Sequence, residues 1–263
     1  MNAEKEMSFL EHLEELRWHI VRSILSIVIL GIIVFIYIQW VFDHILYAPK
    51  KASFLTYKVF CALSERTCFE APALEIITVS LDEQFLTAIK VAFWLGFIGS
   101  FPYIFYQFWK FIKPGLYDKE KKAVKGVVWI CSLLFISGVL FGYFIIAPFA
   151  IKFLGTFTVG MEISNTVSLK SYIGYMTMFT IPAGILFELP IVIFFLSKIG
   201  IVTPKFLRHY RRHAYISILI LAAIITPPDV ATQFMIGIPV FFLYEISIFI
   251  SARVQKNSMQ IQS

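Results

Sequence analysis

Long apolar runs alternate with short polar, mostly basic segments along this chain, and that pattern predicts helices that cross a bilayer. The runs lie at about 20–41, 85–108, 127–149, 172–196, 214–226 and 234–251. All but one suffice for a hydrocarbon core of roughly 30 Å, which takes roughly 20 residues of helix. The exception, 214–226, offers about 13 residues before Pro227-Pro228, or ~20 Å of helix. Either a locally thinned bilayer beside the last two spans or a re-entrant segment follows from that shortfall. Six crossings put both ends on one side. The expected fold is an all-α integral membrane protein, taken as one domain over 1–263 because no linker, low-complexity tract or internal repeat divides it.

Ahead of the first run, Ser8-Phe9-Leu10-Glu11 fits a helix capping box, followed by Leu13, Leu16 and Ile20 at helical spacing. An amphipathic start over 8–19 therefore feeds span one. With no small-residue cleavage pattern behind it, span one is expected to be an uncleaved anchor. The composition is 59% hydrophobic and 15% charged, with a net charge of +6. In a soluble protein that excess base would suggest nucleic acid. Here most of it lies in short loops beside spans, including Lys110, Lys113, Lys119, Lys121, Lys122 and Lys125 in one loop. Retention of such charge on the inner side predicts cytoplasmic termini, and nucleic acid is set aside.

The long outer segment 42–84 holds Cys61 and Cys68 in a compartment where disulfides persist, so a bridge and two separate thiols both stand as readings. Cys131, within span three, reads as a small apolar filler.

Candidate chemistry gathers at a few ionisable residues. From Phe101 to Lys122 an aromatic membrane exit runs into a basic loop carrying Glu120, which places that carboxylate on the cytoplasmic side. Glu15 lies one helical turn from His19 and two from Arg22, opposite Leu13 and Leu16. It either pairs with one of those bases on a solvated face or offers an acidic ligand. Glu188, within span four, costs roughly 2.5–3.5 kcal/mol to insert and needs an interior partner or a ligand to dock. Pro182 and Pro190 flank it and are expected to bend the helix. In the outer turn Thr226 to Gln233, Asp229 is placed to cap the next helix and Gln233 to reach back along it. His209 and His213 have i, i+4 spacing, but Arg211 and Arg212 between them repel a cation, so no metal is expected. Signatures of metalloproteases, serine hydrolases and nucleotide-binding enzymes do not occur, and neither an enzyme nor a cofactor is expected.

His12 to Arg17, Phe101 to Lys122, Phe187 to Pro190, Thr226 to Gln233 and Tyr244-Glu245 together resemble the TatC family, in order and over nearly the whole chain. That resemblance implies six helices in a concave, glove-like bundle in the inner membrane of a bacterium. It implies a receptor for twin-arginine signal peptides of folded exports, assembled with TatA- and TatB-type single-span subunits, with likewise a homo-oligomer inside the translocase, and driven by the proton-motive force. By position, Glu15 and Glu120 resemble the signal-peptide carboxylates, with Leu16, Arg17, Phe111 and Tyr117 beside them. Glu188 resembles the intramembrane residue linked to partner docking, and Asp229 and Gln233 resemble sensitive residues of the last outer turn. The first outer segment, with Cys61 and Cys68, is longer than the common pattern.

The chemistry suits the task. Guanidinium forks bind carboxylates bidentately, which a lysine pair cannot do. Exposed ion pairs contribute only about 0.2–1 kcal/mol each, so apolar burial at roughly 25 cal/mol per Å² supplies affinity while the carboxylates supply selectivity. A small-solute or ion transporter using Glu188 is the rival class, disfavoured by the lack of a repeat and of paired broken helices.

Overall fold

The computed structural model describes residues 9–63, 68, 71–72, 74–112, 126–157, 166–225 and 230–262. In chain order its helices are α1 (Phe9–Ile36), α2 (Leu55–Leu63), α3 (Glu83–Ile112), α4 (Val127–Phe141), α5 (Ala147–Thr156), α6 (Leu169–Phe187), α7 (Leu189–Lys198), α8 (Pro204–His209), α9 (Arg211–Ile225) and α10 (Val230–Gln262). Strand β1 (Glu75–Ile77) pairs in parallel with β2 (Thr166–Ser168), Glu75 opposite Thr166 and Ile77 opposite Ser168. The architecture is that of the expected all-α membrane protein, with this short ribbon added. Among the described residues, Leu13–Ile36, Glu83–Ile112, Val127–Thr156, Leu169–Lys198 and Thr232–Lys256 are long and apolar enough to cross a membrane. Helix α9 has 15 residues, ~22 Å, and falls short. The helical stretches 127–156 and 169–198 overrun the apolar runs that announce them, and α10 reaches Gln262, because backbone pairing continues into polar sequence.

Two compact units emerge, Met1–Gln39 with Ala88–Leu133, and Trp40–Thr87 with Leu134–Ser263. In the first, α1 and α3 touch through their backbones: a Cβ added to Gly96 would stand 2.8 Å from both the Gly31 nitrogen and the Ile27 carbonyl oxygen. Lipid is as apolar as leucine, so close approach of small residues, rather than hydrophobic exclusion, holds such helices together. Ile24, Leu25 and Ile32 of α1 and Phe93 of α3 stay exposed, available to lipid.

The second unit is built the same way. At Gly138 of α4 an added Cβ would lie 2.6 Å from the Ala183 carbonyl oxygen and 2.8 Å from Gly184 Cα, both on α6. Around this crossing Phe135, Phe179, Ile146 and Ile173 are fully buried, joined by Ile236 and Val240 of α10. Helix α7 packs along α10, where the Ser197 hydroxyl donates to Ser251 Oγ at 2.7 Å.

A π-helical turn, Phe42–Leu46, follows the first span, and a non-α backbone needs outside donors for its carbonyls. Tyrosines supply them: Tyr143 donates to Ile45 O at 2.6 Å and Tyr172 to Leu46 O at 2.8 Å. Tyr57 on α2 donates to Pro49 O at 2.7 Å, and burial pushes its phenol up to about 12, so it remains a donor. Glu83 is the other fastener of this unit. Its Oε2 accepts from Val79 N at 2.7 Å and Ser80 N at 3.4 Å, while Oε1 accepts from Lys170 N at 2.7 Å in the first turn of α6. Ser80 and Glu83 have capping-box spacing, and the same carboxylate serves two helix starts. Glu83→Ala is expected to lower the thermal midpoint in detergent well below that of Asp82→Ala, because three N–H donors lose their acceptor; equal midpoints would count against the shared cap.

Candidate functional site

The acidic end of α1 is organised by a buried histidine. His19 follows Glu15 by one turn, and its Nε2 stands 3.8 Å from Glu15 Oε1, a carboxylate that is itself about one third exposed. On the far side of the ring, His19 Nδ1 lies 2.6 Å from Gln107 Oε1 on α3. Gln107 Nε2 donates in turn to Tyr103 OH at 2.6 Å, and its amide oxygen faces the imidazole. An amide oxygen only accepts, so Nδ1 carries the proton and Nε2 faces Glu15. Phe111, one turn beyond Gln107, sets its ring edge-on to the imidazole at 6.2 Å between centroids. Both helices belong to the first unit, and the chain Glu15, His19, Gln107, Tyr103 is continuous.

The remaining residues of the expected site divide between the described and the undescribed chain. Leu16 is half-buried, whereas Arg17 is exposed, 3.5 Å from Glu14 and over the Trp18 ring at 5.7 Å. Ser8, Tyr117, Glu120 and Asp229 lie outside the described residues. Glu188 occupies the one-residue interruption between α6 and α7 and is half-buried. Its N–H donates to Ile185 O at 3.1 Å, and its carbonyl accepts from Ile191 N at 3.0 Å, so the two helices run nearly on. Pro190, lacking a donor in the first turn of α7, is what the interruption accommodates. Gln233, expected to reach back along its own helix, instead donates to Leu219 O on α9 at 3.0 Å. The helix hairpin at this end is thereby cross-linked by a side chain. The Sγ atoms of Cys61 and Cys68 are 1.98 Å apart, in a disulfide at the end of α2.

Three functional-looking groups escaped the sequence reading. His19, Gln107 and Tyr103 are one; their signal was a histidine one turn from a carboxylate, but the Gln107 partner lies 88 residues away. Glu83 is the second. The third joins α9 to α10: Arg211 Nη2 donates to Glu245 Oε2 at 2.8 Å, its Nε stands 2.8 Å from Oε1, and Tyr215 donates its phenol to Oε1. Arg211 reads in sequence as a retention charge, yet an ionisable Glu245 within the last span called for such a partner. Tyr244 beside it is buried and donates to Leu207 O at 2.9 Å.

Comparison with known proteins identifies the family. Residues 11–239 match the family model for "Sec-independent protein translocase protein (TatC)". The TatC protein of Blattabacterium sp. subsp. Periplaneta americana is 42% identical, the alignment covering 97% of this chain and 99% of that one, and the Aquifex aeolicus TatC is 37% identical with the same coverage. A crystal structure of the "Twin Arginine Translocase Receptor- TatC" superposes with a TM-score of 0.74 at 36% identity, over 93% of this chain and 100% of the other. With a family model matched over most of its length and relatives matched end to end, this multi-pass membrane chain belongs to the TatC family of Sec-independent protein translocase proteins.

Proposed function

We propose that this chain is the receptor and core subunit of a twin-arginine translocase, binding the paired arginines of signal peptides through Glu15 and Glu120 at the cytoplasmic membrane surface. The observation that carries the reading is Glu15 itself, a partly exposed carboxylate whose ion-pair partner among the described residues is the His19 imidazole at 3.8 Å. A peptide arginine can displace that neighbour and gain a bidentate pair. Glu120 supplies the second carboxylate, with Phe111, Tyr117, Leu16 and Arg17 shaping the ground around the two. Family membership supports the translocase role over a solute transporter built on Glu188.

In this reading the chain sits in the inner membrane of a bacterium with six crossings and both termini cytoplasmic. It assembles with TatA- and TatB-type single-span subunits and with further copies of itself, and the proton-motive force drives transport. Glu188 is the intramembrane docking point for partners, Asp229 and Gln233 hold the last outer turn, and the Cys61–Cys68 bridge staples the outer segment. Helix α9, at 15 residues, locally thins the bilayer.

A photocrosslinker placed in turn at residues 15 and 120 tests the receptor role. Adducts with a twin-arginine presequence, lost when both arginines are lysine, are expected from both positions. Equal labelling by the two presequences would sink the assignment.

A further inference from the structure

We propose that the charge state of His19 sets how well Glu15 discriminates twin arginine; this rests on the receptor reading above. The imidazole is 4% exposed, held by Gln107 at 2.6 Å on one edge and flanked by Phe111, so it has little freedom to turn away from Glu15. With Nδ1 committed to Gln107, the remaining nitrogen is the only place a second proton can go, and that nitrogen faces the carboxylate. Neutral His19 leaves Glu15 as an uncompensated acceptor for a guanidinium. Doubly protonated His19 becomes a resident cation 3.8 Å away and competes with the peptide for the same oxygens.

The groups facing the ring are Glu15 from its own helix and Gln107 and Phe111 from α3, with the Tyr103 phenol behind the Gln107 amide. The formal charges close in sequence, Arg22 on α1 and Lys110 on α3, are exposed. Imidazole changes charge between about pH 5 and 8, whereas ordinary carboxylates titrate near about 4, below that window.

The test uses the full-length chain in membrane vesicles and titrates a photo-crosslinkable twin-arginine presequence, with its twin-lysine counterpart as reference, at about pH 8 and about pH 6. For the wild type, half-saturation with the twin-arginine peptide is expected to rise about three- to five-fold on acidification, the size of one partly exposed ion pair. His19→Asn keeps an amide donor for Gln107 and removes the nitrogen facing Glu15, so the pH response of its half-saturation should vanish. His12, His44, His209 and His213 remain in that variant and serve as its internal control. A wild-type pH response in His19→Asn would overturn the proposal. Gln107→Ala releases the imidazole from its place beside Glu15 and is expected to weaken the pH response; a full wild-type response there would also overturn the proposal. Where His19→Asn fails to insert, His19→Gln, neutral at both values, takes its place with the same outcomes. A wild type that shows no twin-arginine preference at either pH defeats the receptor reading itself, whereas a preference that ignores His19 defeats only this inference.

Discussion

Glu15→Ala combined with Glu120→Ala is expected to abolish crosslinking of a twin-arginine presequence while the protein still accumulates in the membrane. Each charge-assisted pair lost contributes about 1.5–3 kcal/mol when well formed and less when exposed. Removal of both is put at about 2–4 kcal/mol, roughly 30- to 900-fold in affinity. Insertion is spared because Glu15 faces water in part and its helix is held by Gly31 against Gly96, neither of which the substitution touches. Lysine at both positions should fail harder than alanine, since like charges then oppose the incoming arginines. Retention of wild-type crosslinking by the double alanine variant, at normal protein levels, would refute the assignment of these two carboxylates.

Gly138→Leu is expected to damage the fold of the second unit strongly. Even the first added carbon would lie 2.6 Å from the Ala183 carbonyl oxygen and 2.8 Å from Phe187 Cβ, so α4 and α6 must separate. Backbone atoms cannot turn aside as a flexible side chain can. Overpacking of this sort destabilises by about 1–3 kcal/mol, and a bulky side chain at a backbone contact belongs at the upper end. The outer tyrosine clamps depend on the same crossing, since Tyr143 follows α4 and Tyr172 opens α6. Thermal denaturation in detergent, followed by loss of the monodisperse species, checks this. Gly174→Leu, where an added Cβ meets nothing within 4 Å, is the matched control and should leave the midpoint near wild type.

Much of the fold is legible in the sequence because membrane insertion reads hydropathy directly. The apolar runs at 20–41, 85–108, 127–149 and 172–196 each correspond to a long helical stretch. Their ends are less legible, since the helices extend into polar sequence wherever a side chain or the next turn satisfies the backbone. The parallel pairing of Ile76 with Val167 was hidden for a different reason: three-residue strands carry no periodicity, and their pairing depends on helices that lie between them. The site divides similarly. Glu15 stood out through its setting in His12 to Arg17, and Phe111 through the aromatic exit before the basic loop. His19 and Gln107 did not, because a buried polar pair is defined by which faces of two helices meet, and hydropathy says nothing about that. Arg211 with Glu245 was hidden likewise: Glu245 within the last span called for a partner, but hydropathy does not say which helix supplies it.

The β1–β2 ribbon has a consequence for biogenesis. Glu75 to Ile77 leave the ribosome well before Thr166 to Ser168, so the pairing is of high contact order and must wait until α3, α4 and α5 have been synthesised. Glu83 waits as well, since one of its oxygens has its acceptor role filled only by Lys170. A nascent chain halted before Thr166 therefore lacks both of these latches.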